Sequence, residues 1–191
     1  MNSGGMGFSS SRDKTAVFID NGYFAKVLRL DFGQPRVDYL KFSENICRDS
    51  ERYRTYFYYC MPFQGPYPTQ AERVRISHAQ AFYHSLRNLP RFEVRLGRLI
   101  KTRTNPPGYS QKGVDVLLSV DLVRLSWSKT IDKAVLVTGD SDFVPAVQTS
   151  KDAGTIVELY YSESQHVSDE LFQVCDERHP ISKALLESCS L

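Results

Sequence analysis

The regular alternation of short apolar runs with longer segments of helical periodicity constrains the fold of this chain more than any other feature. Strand-like runs are predicted at 15–20, 53–61, 92–100, 133–139 and 155–161, with helical segments between them. Strands that alternate with helices favour a parallel sheet with helices on both faces. We therefore predict an α/β fold: a three-layer α/β/α sandwich with a central, mainly parallel sheet of about five strands.

Two of the predicted helices carry local boundary signals. One begins after Thr69, a favourable N-cap, and ends before Pro90, because the residue that precedes a proline avoids the helical region. The other follows Asp142 and places Pro145 in its first turn, where a proline is tolerated. Both signals support the alternating order.

Length and charge limit the number of domains and the kind of partner. A chain of 191 residues supports one sizeable core. Lys and Arg together number 24 and Asp and Glu 22, for a formal net charge of +2, so a polyanion must be met by a local basic patch. The four cysteines have no C-x-x-C spacing, and no apolar stretch reaches membrane-spanning length. We expect a cytoplasmic protein that does not enter a membrane.

The chain divides into three expected parts. Residues 1–13 are predicted to be a flexible N-terminal tail, and residues 14–163 to form the domain. Residues 164–191 contain enough apolar positions for one or two short helices, and are predicted to be a helical extension packed on the domain. A second copy of the chain is the other candidate surface for this extension, which would make the protein a homodimer.

Acidic residues follow the predicted strands where a ligand site is expected. The stretch "AVLVTGDSDF" leads an apolar strand into Asp140 and Asp142, Asp20 ends the first strand, and Asp115 lies near the start of a helix. Ligands of open α/β sheets bind beyond the carboxyl ends of the strands, so these four carboxylates are candidates for one site. Asp140 or Asp142 could instead cap the helix that follows, and Asp115 could complement the N-terminus of its own helix.

A cluster of carboxylates has a defined chemistry. Two carboxylates about 4 Å apart repel by roughly 1 kcal/mol in water and roughly 4 kcal/mol near a protein surface, so a cation or bound protons must offset them. Oxygen ligands without His or Cys favour Mg²⁺ or Mn²⁺ over Zn²⁺. Such ions bind substrate phosphates and activate water, which indicates metal-dependent phosphodiester hydrolysis.

Three segments together resemble one protein family. "VFIDNGYF", "KGVDVLLSVDL" and "LVTGDSDFVPAVQTSKDAG" are similar to the NYN domain of the LabA-like group, in the PIN-like nuclease superfamily, over 15–161. The resemblance implies a PIN-like α/β/α fold, a divalent-metal site for Mg²⁺ or Mn²⁺, and endoribonuclease activity on RNA. It assigns the catalytic and metal-binding roles to Asp20, Asp115, Asp140 and Asp142. Many relatives carry an Asn where this chain has Tyr23, and here Asn21 is the nearest amide.

Further residues are candidates for supporting roles or for substrate binding. Asn21, Asp121, Thr138 and Ser141 could orient the ligands, although Asp121 faces the apolar stripe of its helix and is equally a structural acid. The candidates for RNA contacts are Lys112 and the basic run with its nearby aromatic residue, that is, Arg98, Lys101, Arg103 and Tyr109. The four histidines show no ligand or triad spacing and are expected to have ordinary surface or core roles.

Other acid-bearing α/β proteins, and a non-catalytic module, are alternatives to the nuclease. Toprim domains and haloacid-dehalogenase-type phosphatases also place acids at strand ends, but "FIDNGYF" lacks the glutamate of the first and the D-x-D of the second. The remaining alternative is a non-catalytic or weakly active NYN module with a regulatory role in binding RNA or protein. The sequence leaves this alternative open.

Overall fold

The computed structural model describes residues 12–48, 50–101 and 108–191. Seven strands form one sheet in the order β4-β3-β2-β1-β5-β6-β7. Their bounds are β1 Lys14–Asp20, β2 Glu51–Cys60, β3 Phe92–Lys101, β4 Tyr109–Lys112, β5 Lys133–Val137, β6 Ile156–Tyr161 and β7 Glu177–Pro180. Six strands are parallel, and β4 runs antiparallel to β3 at one edge.

Helices cover both faces of this sheet. Their bounds are α1 Asn21–Asp31, α2 Tyr39–Cys47, α3 Gln70–Arg87, α4 Val114–Trp127, α5 Val144–Asp152, α6 Asp169–Val174 and α7 Lys183–Ser188. Successive strand residues point to opposite faces, so the apolar run of β1 contributes to two cores. Phe18 packs with residues of α4, α5 and α6, and Ile19 packs with residues of α1, α2, α3 and α7. The predicted α/β/α sandwich is confirmed.

The sheet has two more strands than the five or so expected from the sequence. Both β4 and β7 are four residues long and mostly polar, so neither has the apolar pattern of a buried strand. They form because each pairs with an exposed edge, β4 with β3 and β7 with β6. Residues 164–191 therefore contribute an edge strand as well as the helices α6 and α7, which corrects the expectation of a purely helical extension.

The local helix signals agree with the structure. Thr69 caps α3 in a capping box with Glu72, and Pro145 occupies the first turn of α5. Of the predicted tail 1–13, residues 1–11 lie outside the described residues. Within the described ranges, no helix combines the length and the apolar character that crossing a membrane requires.

Candidate functional site

Asp20 occupies the carboxyl end of the central strand β1 and also begins α1. One side-chain oxygen, Oδ1, accepts hydrogen bonds from the backbone N–H groups of Gly22, at 2.8 Å, and Tyr23, at 3.4 Å. The other oxygen, Oδ2, accepts from the Thr138 hydroxyl at 3.3 Å. Asp20 is therefore an N-cap and, at the same time, one wall of a site at the edge of the sheet.

Thr138 connects this first aspartate to the "TGDSDF" segment. The fully buried Thr138 follows β5, and its hydroxyl also accepts a hydrogen bond from the backbone N–H of Asp140 at 3.4 Å. Asp140 then caps the short 3₁₀ turn Ser141–Phe143 through the N–H of Asp142, at 3.0 Å. Thr138 therefore holds two of the predicted site residues together, as the expected supporting role requires.

Asp115 comes to the same edge of the sheet from a different element. Gly113, at φ +87°, turns the chain from β4 into α4, and Asp115 lies in the first turn of that helix. Burial raises the pKa of Asp115, and the charges of Asp140 and Asp142 raise it further. Burial also raises the pKa of Asp20, with a smaller contribution from Asp115. Neighbouring carboxylate charges thus oppose the ionisation of Asp115 and, to a smaller extent, of Asp20.

The four aspartates are divided between two neighbouring cavities. Asp115 and Asp142 line an open groove of about 710 Å³ that also contains Glu170. Asp20 and Asp140 line a second cavity of about 390 Å³. Ser141 borders both cavities, so the "GDSD" turn forms the wall between them. No three of the four aspartates bring carboxylate oxygens within 4.8 Å of one another.

The donor set fits hard divalent cations. No ion pair among the described residues involves any of the four aspartates. The four aspartates line two solvent-open cavities, and Mg²⁺ is commonly held by one or two carboxylates while it keeps several waters. A pair of aspartates in each cavity is sufficient for that mode of binding.

Tyr23 lines the cavity of Asp20 and Asp140 and packs against the turn that carries Asp140. Its hydroxyl accepts a hydrogen bond from the backbone N–H of Ser162 at 2.9 Å, and its ring lies against Gly139. A Cβ at position 139 would lie 2.6 Å from that ring and 2.7 Å from the carbonyl oxygen of His166. Glycine is therefore required between β5 and Asp140 because backbone and ring leave no space. Asn21 makes none of the hydrogen bonds that position Asp20.

Gly139→Ala is expected to destabilise the protein by about 1–3 kcal/mol, the usual cost of an added methyl group in a packed site. The methyl group must displace either the Tyr23 ring or the chain at His166. The measurement is the free energy of unfolding in urea. Gly65→Ala is the matched control, since its Cβ would meet nothing closer than 3.8 Å. Equal stabilities of the two variants would contradict this account of Gly139.

Asp121 is a structural acid and contacts none of the four aspartates. It is 6% exposed, and its carboxylate accepts hydrogen bonds from Tyr58 at 3.1 Å, Arg95 at 3.0 Å and Arg124 at 3.1 Å. Burial, followed by the neighbouring Asp121 charge, raises the pKa of Tyr58 well above its ordinary value. Asp121 therefore accepts hydrogen bonds from a buried tyrosine hydroxyl and from two guanidinium groups beside α4.

The predicted basic run forms part of a two-stranded ribbon. Arg98 is exposed and lies opposite Lys112 in the pairing of β3 with β4, and Lys101 lies opposite Tyr109. Arg103 lies outside the described residues, as do the side chains of Lys101, Tyr109 and Lys112. The ribbon leads directly into Gly113 and α4, which places its backbone next to the element that carries Asp115.

A second acidic group, formed by Glu158, Glu177 and His179, lies on β6 and β7. Lys133 pairs with Glu158 at 2.6 Å, and the Nε2 atom of His179 lies 3.3 Å from Glu158 and 3.5 Å from Glu177. Arg48 lies 2.8 Å from the Nδ1 atom of His179. Lys133 and Arg48 supply this group with positive charge from the protein at contact distance, which the four aspartates lack among the described residues. The contacts among Lys133, Glu158, Glu177 and His179 also join β7 to its neighbour β6.

Three charged residues near the acidic edge are absent from the sequence-based candidates. Lys26 and His166 line the cavity of Asp20 and Asp140, and Glu170 lines the groove of Asp115 and Asp142. The spacing of the histidines in the sequence predicts only a surface or core role for His166. The spacing of Lys26, one helical turn after Gly22, is the only signal in the sequence that could have indicated its position.

Comparisons with known proteins identify the family. The sequence pattern of the NYN domain matches residues 14–182. A solved structure of a protein of unknown function, VPA0982 from Vibrio parahaemolyticus RIMD 2210633, superimposes with a TM-score of 0.67 and 22% sequence identity, covering 96% of this chain and 99% of that one. No curated protein matches the chain. The chain therefore belongs to the NYN domain family, within the PIN-like superfamily.

Proposed function

We propose that this NYN protein is a divalent-metal-dependent endoribonuclease of the LabA-like group that hydrolyses RNA phosphodiester bonds. The observation that carries the proposal is the set of four aspartates without basic partners at the carboxyl edge of a parallel sheet. Burial and neighbouring carboxylate charges oppose the ionisation of Asp20 and Asp115, and a divalent cation would offset both effects. Phosphodiester hydrolysis is the chemistry that such a site supplies to an RNA-binding domain.

Each side chain has a defined part in this proposal. Asp20 and Asp140 would hold Mg²⁺ or Mn²⁺ in the smaller cavity, and Asp115 and Asp142 in the groove. Lewis-acid chemistry is what an ion held there would supply, by polarising a phosphate and lowering the pKa of a water molecule. The Thr138 hydroxyl orients the Asp20 carboxylate, and Ser141 separates the two cavities. The β3–β4 ribbon, with Arg98, Lys101, Tyr109 and Lys112, would contact the RNA backbone on the Asp115 side, together with Arg103.

A weakly active or non-catalytic NYN module with a regulatory role in binding RNA or protein is the second candidate. Tyr23 favours it, because a bulky phenol occupies the position where many relatives have a small amide. The hydroxyl of that phenol accepts from the Ser162 N–H and its ring packs against Gly139, so Tyr23 does not present an amide to the site. In this case the acidic edge would bind metal without rapid turnover.

A cleavage assay distinguishes the two candidates. The full chain is incubated with a panel of single-stranded and structured RNAs in Mg²⁺, in Mn²⁺ or with excess EDTA. We expect endonucleolytic products with either ion and none with EDTA, because the aspartates depend on the cation to engage a phosphate. RNA binding without products in either ion would instead support the regulatory module. Products in EDTA would contradict the metal-dependent mechanism.

A further inference from the structure

We infer that the smaller cavity, which holds Asp20 and Asp140, is a backbone-phosphate subsite for a single-stranded RNA, with Lys26 as its cationic residue and His166 as a neighbouring polar contact. The inference rests on the proposed function and adds a substrate-binding subsite that is separate from the β3–β4 ribbon. In this inference the smaller cavity binds the backbone of the RNA, and the groove of Asp115 and Asp142 is the neighbouring, acid-lined part of the same edge.

The two cavities differ in the charges that line them. Among the described side chains, those that line the groove include Asp115, Asp142 and Glu170 and none that is basic. The smaller cavity combines its two aspartates with Lys26 and His166. A divalent cation on these two aspartates would therefore leave the smaller cavity with excess positive charge from Lys26. That charge favours an RNA phosphate next to the metal.

Lys26 is available for such a contact. It is exposed on α1, one turn after Gly22, and takes part in no ion pair within the described residues. A lysine that lines an acidic cavity yet lies beyond 4 Å from both carboxylates has no protein anion to neutralise. Its ammonium group is suited to an anion that enters the cavity from outside.

His166 is held in place by a segment tied down at both ends. At one end the Ser162 N–H donates to the Tyr23 hydroxyl at 2.9 Å, and the Ser162 hydroxyl donates to Asp31. At the other end the Ser168 N–H donates to the carbonyl of Gly139 at 3.0 Å. The exposed residue His166, which lines the cavity, therefore lies on a backbone segment that is held at both ends. Tyr23 consequently positions His166 as well as supporting Gly139.

The test measures binding by fluorescence anisotropy, with a labelled single-stranded RNA that carries phosphorothioate linkages to resist cleavage. The variants are Lys26→Gln, His166→Gln and the matched control Lys41→Gln, an exposed lysine on α2 that lines neither cavity. For Lys26→Gln we expect an affinity loss of about 5- to 10-fold at low salt. We also expect the slope of log affinity against log salt to fall by about 0.7 to 1, the share of one phosphate contact. His166→Gln should show a smaller loss, and Lys41→Gln should bind as the parent does.

Three outcomes would overturn the subsite. One is equal binding by Lys26→Gln and Lys41→Gln while the parent cleaves RNA, which leaves the proposed function intact. Another is a stronger Mn²⁺-induced thermal shift in Lys26→Gln with unchanged RNA binding, which makes Lys26 a substitute cation for the aspartates. The third is an affinity loss in Lys26→Gln with the salt slope of the parent, which means that Lys26 makes no phosphate contact. Absence of both RNA binding and cleavage in the parent would overturn the proposed function and the subsite together.

Discussion

Asp20→Asn is expected to lower metal-dependent RNA cleavage about 100-fold or more, while Asp38→Asn retains the activity of the parent. The two aspartates cap their helices in the same way, with φ and ψ of −75° and 103° at Asp20 and −77° and 103° at Asp38. Asn caps a helix about as well as Asp, so neither substitution removes a cap. Only Asp20 lines the acidic edge, and the loss of a charged metal ligand weakens both metal binding and catalysis.

The same pair of variants separates metal binding from turnover. Millimolar Mn²⁺ should raise the melting temperature of the parent and of Asp38→Asn, since a ligand that binds the folded state alone adds about 2.7 kcal/mol at 100 times its dissociation constant. Asp20→Asn should lose most of this shift. A full shift in Asp20→Asn, or equal cleavage by both variants, would remove Asp20 from the metal site.

The pH dependence of the metal-free protein follows from the raised pKa of Asp20. A carboxyl group with a folded pKa above its unfolded value binds more protons in the folded state, so it costs stability as pH rises through that interval. Asp20→Asn should therefore be as stable as the parent or more stable at pH 7, with a smaller advantage near pH 4. Urea unfolding at both values without metal measures this difference. An advantage that grows toward acid pH would contradict the pKa direction.

Asp121→Ala is expected to destabilise the protein by about 3 kcal/mol. The substitution leaves the buried Tyr58 hydroxyl without its acceptor and removes the shared partner of Arg95 and Arg124, and breaking one side of a buried ion pair typically costs about 3–5 kcal/mol. We expect the lower end of this range of free energies because the side chains of Arg95 and Arg124 are 34% and 54% exposed and regain some hydration. The free energy of unfolding in urea measures the effect.

The control for this variant is Asp152→Ala, an exposed aspartate of α5 that bonds only Gln148 among the described residues. It should change stability by less than about 0.5 kcal/mol. Asp121→Ala should still bind Mn²⁺ below its melting temperature, because Asp121 contacts none of the four aspartates. Loss of the Mn²⁺-induced shift in Asp121→Ala would instead make this residue part of the metal site.

The central strands were predictable from the sequence because each carries its own physical signal. The run Thr15–Asp20 is apolar on both faces, and such a run is stable only between two layers of helices. The edge strands β4 and β7 carry no such signal. Their residues are mainly polar, and the hydrogen bonds that make them strands come from β3 and β6.

The sequence by itself determined that Asp20 ends one strand and that Asp140 and Asp142 follow another. Because the carboxyl ends of parallel strands lie along one edge of a sheet, it also placed these aspartates at a common edge. Only the tertiary structure decided that Asp140 and Asp142 face different cavities, since a turn of three residues sets that direction. The sequence likewise could not predict that Lys26 and His166 line the smaller cavity. The segment that carries His166 is held by bonds from Ser162 to Tyr23 and Asp31, partners 139 and 131 residues away in sequence, and periodicity carries no information about contacts at such separations.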